Sequence, residues 1–177
     1  MGDIQEAKDT PFGDDDIRRL LGGDISILPY PKLGGMDSIN EAFDNKGRCI
    51  LLYLMDSTHS GHWVCLLDQK DTIEYFDPYG YAPDYPLRLL SPEKRQEYGE
   101  TTAYLTHLLR RSGKKLVYNK KNLQKKGDDV ATCGRHTVAR CLYSDVDLPG
   151  YLNELKKCPK GMNPDDFVVG LTESPEQ

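Results

Sequence analysis

The hydrophobic pattern changes period in the centre of the chain. Before it, "DDDIRRLLGG" (14–23) reads as a short helix, with acids near its start, Ile17, Leu20 and Leu21 on one face, and glycines to end it. "DISILPYPKLGGMDSI" (24–39) is a Pro- and Gly-punctuated connection ordered by Ile25, Ile27 and Leu28. "SINEAF" (38–43) opens a second short helix with Ser38 as its cap. Then come short apolar or alternating runs separated by polar turns: "RCILLYLM" (48–55), "HWVCLL" (62–67) and "TIEYF" (72–76). They predict neighbouring antiparallel strands, followed by a turn-rich loop, "DPYGYAPDYP" (77–86). Helical spacing returns in "TTAYLTHLLRR" (101–111), with Tyr104, Leu105, Leu108 and Leu109 inward and Gly113 closing it. "KLVYN" (115–119) is a further strand. Helices are expected from Cys133 to Ser144, over "GYLNELKK" (150–157), and over "NPDDFVVGL" (163–171) with Asn163 as cap and Pro164 in the first turn. Helices, then strands, then helices predict an α+β domain.

With 177 residues, 38% of them hydrophobic and 29% charged, the chain is expected to be one soluble globular domain over 1–177, with residues 1–13 a flexible lead-in. No apolar run approaches the roughly 18–20 residues that cross a membrane. The acidic, polar N-terminus is no secretory signal, and Glu6 stands where myristoylation expects Ser or Thr. Cys49, Cys65, Cys133, Cys141 and Cys158 are odd in number and show no CxxC pairing, which argues for a reducing compartment. The expected location is therefore intracellular, cytoplasmic or nuclear, and not secreted.

A net charge of −5 disfavours indiscriminate nucleic-acid binding. The charge is uneven, however: "RRSGKKLVYNKKNLQKK" (110–126) is basic with no acid in it. A solvated strand-and-loop surface is the favoured reading of that run; contact with a nucleic acid or acidic peptide is the other.

Chemistry concentrates on "ATCGRH" (131–136), where small residues crowd Cys133 at the head of a helical segment. Cys133 could be a packing residue, a metal ligand or a nucleophile. His62 starts one strand and Asp77 follows the end of the next, so a hairpin places imidazole and carboxylate together although they are fifteen positions apart. An acid beside one ring nitrogen fixes the tautomer and stabilises the imidazolium. A helix N-terminus and a protonated His both favour thiolate, and such sites can bring a cysteine from about 8.5 to about 3.5–7.5. Gly134 lets the backbone come close, first-turn N–H groups can face an oxyanion, and Gln124 is the most plausible side-chain amide for the same hole. Trp63 could wall the site beside His62.

Rival signals are weaker. His59, His62 and Cys65 have an H-x2-H-x2-C spacing, but residues 62 and 65 of a strand point to opposite faces and no second ligand pair matches. No metal and no cofactor are assigned. His136 is an alternative base that reads better as a surface or supporting residue. Cys65 and Cys141 read as core, and Cys158 as a surface or hinge thiol.

Together, "GHWVCLL", "YFDPYG" and "LQKKGDDVATCGRH" resemble the cysteine peptidases typified by the adenovirus maturation protease and the SUMO-deconjugating enzymes. The match covers roughly residues 48–144, the expected catalytic core. That family is papain-like in its site but runs His, acid, Gln, Cys along the chain, on a mostly antiparallel sheet flanked by helices. The resemblance implies His62 as general base, Asp77 as its orienting acid, Gln124 in the oxyanion hole and Cys133 as nucleophile. "CGRHTVAR" and the compact size look closest to maturation proteases of large DNA viruses and virophages. Gln124 stands nine positions before the cysteine, where members place Gln six or seven before, so a backbone amide or Asn122 stays open for its role. The expected function is a thiol endopeptidase acting on protein precursors such as capsid proteins, as a monomer, with packaging in a virion open. The same resemblance raises activation by nucleic acid or peptide through 110–126. An acyltransferase, a ubiquitin-like-protein hydrolase and a non-catalytic module of the same fold are the alternatives.

Overall fold

The computed structural model describes residues 4–57, 59–127 and 131–173. The chain runs α1 (Ile4–Asp9), α2 (Asp14–Leu21), β1 (Ser26–Pro29), 3₁₀ turns over Tyr30–Gly35 and Ile39–Ala42, β2 (Arg48–Leu54), β3 (Gly61–Gln69) and β4 (Thr72–Phe76). A 3₁₀ stretch over Tyr85–Leu89 leads to α3 (Pro92–Tyr98), α4 (Tyr104–Ser112), β5 (Lys115–Tyr118), α5 (Cys133–Leu142), α6 (Leu148–Lys156) and α7 (Pro164–Thr172). The fold is α+β, with a central sheet of order β1-β2-β3-β4-β5 flanked by helices. The β2–β3–β4 centre is antiparallel, and β1 and β5 run parallel to their neighbours at the two edges.

The absence of polar alternation in "RCILLYL" has a direct cause: both faces of β2 are covered. Ile50, Leu52 and Leu54 join Trp63, Cys65 and Leu67 of β3 against α2, α5 and α6. Cys49, Leu51 and Tyr53 join Val64 and Leu66 against α4 and the first two 3₁₀ turns. The first face carries a buried ion pair: Arg140 of α5 donates to both carboxylate oxygens of Glu74 on β4, at 2.7 and 2.9 Å, and also to the carbonyls of Tyr143 and Val146. Each partner answers the other's desolvation, so removing either one leaves a charge stranded in the core, at a cost of about 3–5 kcal/mol. This pair fixes α5, and with it the place of Cys133, relative to the strands.

Several local expectations shift. Residues 4–13, expected as a flexible lead-in, form α1 and an ordered strap. Ala7 and Phe12 are buried, Lys8 pairs with Asp166 of α7, and the Ala131 N–H donates to the Lys8 carbonyl at 2.7 Å. No local pattern announces this, because the partners lie far along the chain, on β3, α5 and α7. "SINEAF" is a single 3₁₀ turn, although Ser38 caps it and Glu41 completes the capping box. Strand β1 lies inside the expected connection; it is four residues long and ends on Pro29, as suits an edge. Helix α3 carries a Ser91 cap, Pro92 in its first turn and a left-handed Gly99 at its end, but Tyr98 is its one buried residue and gives no period. Among the described residues no helix is long and apolar enough to cross a membrane.

Candidate active site

The β3–β4 hairpin delivers the first two groups. His62 is the second residue of β3, and Asp77 directly follows β4, where Pro78 stops the ladder. His62 Nε2 lies 2.7 Å from Asp77 Oδ1, with the histidine 8% exposed and the aspartate fully buried. The Tyr79 backbone N–H donates to the same oxygen at 2.8 Å, while Oδ2 is buried and has no hydrogen-bond partner among the described residues. Tyr79 then folds back to stack its ring on the imidazole, at 4.8 Å between centroids.

Helix α5 delivers the third group. Cys133, its first residue and half-buried, lies within hydrogen-bonding reach of the His62 side chain. Because Asp77 holds Nε2, Nδ1 is the ring nitrogen left for the sulfur. Burial pushes the imidazolium down, but the charge and hydrogen bond of Asp77, and then Cys133, outweigh it and hold His62 up at about 10. At neutral pH the imidazole is therefore protonated. The Tyr79 phenol is pushed up to about 12, by burial first and then by the nearby Cys133.

Gly134 is required by packing. A Cβ there would come 2.7 Å from Phe12 Cβ and 3.2 Å from Trp63 Cδ1. The Trp63 indole N–H donates to the Phe12 carbonyl at 3.0 Å, and the Arg135 guanidinium lies 4.3 Å from the Phe12 ring centroid. The N-terminal strap thus closes over the first turn of α5, and Trp63 packs against that turn.

Gln124 approaches from the segment after β5. Its backbone N–H and that of Leu123 both donate to the Pro78 carbonyl, at 3.1 and 2.8 Å, and its side chain is buried. Gly80, at φ +77°, brings its backbone so close to Lys121 that a Cβ would sit 2.8 Å from the Lys121 carbonyl carbon. The turn carrying Asp77 and the segment carrying Gln124 are therefore one packed unit. Asp128, Asp129 and Val130 of the loop that lengthens the Gln–Cys spacing lie outside the described residues. Asn122, the substitute for Gln124, is exposed.

The other sequence candidates fall elsewhere. His136 is fully buried, with Nε2 2.9 Å from Asp165 of α7. Of the two expectations for it, surface or supporting residue, burial removes the first, because α7 covers that side of α5. Cys65 is in the core on the opposite face of β3 from His62, with Cys141 beside it. Among the described residues no group of three His, Cys, Asp or Glu side chains is placed to hold a metal ion. Within the basic run, Lys114 pairs with Asp68, Lys120 lies over Tyr118, and Lys126 lies over Tyr79 and Tyr81. Sequence reasoning missed Phe12, Tyr79 and Asp165. "YFDPYG" pointed to the turn but not to the stacking, and a lone acid in a late helix carries no signal at all.

The fold and these contacts define an α+β protein in which a hairpin presents a His–Asp pair to a cysteine at a helix start. No known family profile matches the chain. It is 30% identical over 176 residues to the uncharacterized protein V9 of Sputnik virophage, spanning 97% of this chain and 99% of that one. The chain belongs to the family of that virophage protein. Among solved structures, the ASFV pS273R protease aligns over 93% of this chain and 67% of its own, at 12% identity and a TM-score of 0.45. The central domain of the uncharacterized Lpg1148 protein from Legionella pneumophila aligns over 92% and 93%, at 19% identity and a TM-score of 0.44.

Proposed function

We propose that the protein is a cysteine endopeptidase. The observation that supports this most is the position of His62, with Nε2 on a buried carboxylate and the rest of the ring beside the Cys133 sulfur. A histidine beside a cysteine can carry the thiol proton while the sulfur acts as nucleophile. In this reading the sulfur attacks the peptide carbonyl carbon, and the oxyanion that forms is met by first-turn N–H groups of α5 and the Gln124 amide. His62 then gives its proton to the amine as the C–N bond breaks, leaving a thioester on Cys133. Water attacks the thioester while His62 takes a proton from it, releasing a carboxylate product and restoring the ion pair. Asp77 holds the ring in one orientation throughout.

Kinship with a virophage protein supports substrates among the polypeptide precursors of a virus particle. The test is incubation with a peptide library of mixed sequence, followed by mass spectrometry of new N-termini. The expected result is a defined set of cleavages that Cys133→Ala does not produce. Cleavages that persist in Cys133→Ala, or none with the wild type, would count against the proposal.

A further inference from the structure

Asp165 stands outside the groups that face the substrate, yet it is the point where the pieces of the proposed oxyanion site are joined. It lies in the first turn of α7, 3% exposed. Its Oδ1 accepts from the Thr132 hydroxyl at 2.5 Å and sits 2.9 Å from His136 Nε2, while Oδ2 accepts from the Lys125 backbone N–H at 2.9 Å. Burial alone would push the carboxyl up, but the hydrogen bonds from His136, Thr132 and Lys125 outweigh it and hold it below the usual aspartate range.

The positions of those donors matter. Thr132 immediately precedes Cys133, Lys125 immediately follows Gln124, and His136 is one turn into the helix that Cys133 begins. One carboxylate therefore ties down both ends of the loop that separates the proposed amide donor from the proposed nucleophile. Gln124 is fixed on its other side by the bond from its own N–H to Pro78. Thr132 is also the residue ahead of the first turn of α5, where a Thr hydroxyl would normally cap a free N–H. Here no side-chain cap is made, because the hydroxyl is committed to Asp165. The first-turn N–H groups are left for another acceptor.

We propose that Asp165 is a positioning residue for the oxyanion site: it sets the distance between Gln124 and the α5 N-terminus and keeps the Thr132 hydroxyl from competing for that N-terminus. This rests on the peptidase reading, and it separates two halves of the site that respond to different reagents. Alkylation of Cys133 by iodoacetamide needs the Cys–His pair but forms no oxyanion. Acylation by p-nitrophenyl acetate passes through a tetrahedral oxyanion at the same sulfur.

The experiment measures both rates on the full chain, with the modified cysteine assigned by mass spectrometry, in wild type, Asp165→Ala and Asp165→Asn. In Asp165→Ala the acylation rate is expected to fall about 10²-fold, the scale of a lost oxyanion donor, with alkylation within about twofold of wild type. Asp165→Asn keeps the volume and an oxygen for the Lys125 N–H, and His136 can meet its amide as the other tautomer. It should recover acylation to within about fivefold of wild type. It also carries the test if the alanine variant does not fold, a small fall in acylation with unchanged alkylation being the supporting result. Acylation and alkylation that fall together, or an Asp165→Ala that folds and keeps the wild-type rate of both, overturn the inference. Where only Asp165→Asn folds, acylation less than about twofold below wild type with unchanged alkylation overturns it. A wild type in which Cys133 lags behind the other thiols overturns the nucleophile reading itself, and the inference with it.

Discussion

Among the described residues are two buried His–Asp pairs of nearly equal length, and they differ in what lies beyond the ring. His62–Asp77 is 2.7 Å and His136–Asp165 is 2.9 Å, and both histidines are nearly or wholly shielded from solvent. Beyond His62 is the sulfur of Cys133, and beyond that solvent, since the cysteine is half-buried. Beyond His136 is packed protein, where Nδ1 is buried with no hydrogen-bond partner among the described residues. The carboxylates differ in the opposite sense. Asp165 uses both oxygens on three partners from two segments of chain, while Asp77 Oδ2 has no such bond among the described residues. A His–Asp pair is thus a structural part that becomes a chemical one only when a reactive atom occupies its remaining face.

Substitutions separate the two pairs, and the largest effect belongs to the first. Cys133→Ala and His62→Ala are expected to lower acylation at the site by roughly 10⁴-fold or more, with circular dichroism unchanged, since the two act as a unit. Asp77→Asn should cost about 10²-fold, a general acid–base contribution. Loss of the charge should also bring the alkaline limit of peptide cleavage, which needs the His62 proton for the leaving amine, down from near pH 10, read from a pH–rate profile. His136→Ala should leave the alkylation rate of Cys133 within about twofold. Its cost should appear in urea unfolding, about 2–3 kcal/mol, because Asp165 loses a buried donor and the core loses a ring.

The pairs should also part company with pH. His62 is held above its ordinary value, so the stability it contributes is full below about pH 6.5 and is lost as pH rises through about 10. Asp165 is held below its ordinary value, so its contribution is present above about pH 3.9 and is lost as pH falls below that. Melting temperatures across pH should therefore show the wild type losing its advantage over His62→Ala at the alkaline end, and its advantage over Asp165→Asn at the acid end.

How far the sequence revealed these two pairs follows from the kind of contact each one makes. His62 and Asp77 belong to adjacent strands of one hairpin, so period-2 patterning and a Pro after the acid were enough to bring them together. The strands and the Cys133 helix were visible for the same reason, because apolar runs bounded by turn residues report their own neighbours. His136 and Asp165 are joined by the packing of α7 on α5, which no local period encodes, and the sequence left His136 between a surface and a supporting residue. Phe12 and α1 were missed on the same ground: their partners are Trp63, Gly134 and Asp166, far along the chain. Gln124 was picked out through its place in a motif, and its unusual spacing could be weighed only once Pro78 and Asp165 were seen to hold the segment on both sides.

The most direct test of the central claim is the alkylation rate of each cysteine by iodoacetamide at about pH 6, in wild type and in His62→Ala. An ordinary thiol is almost wholly protonated at that pH and reacts slowly. The account predicts that Cys133 reacts well ahead of Cys158, the other thiol that is not buried, and falls back to its rate when His62 is removed. Equal, slow labelling of Cys133 and Cys158 in the wild type would contradict it.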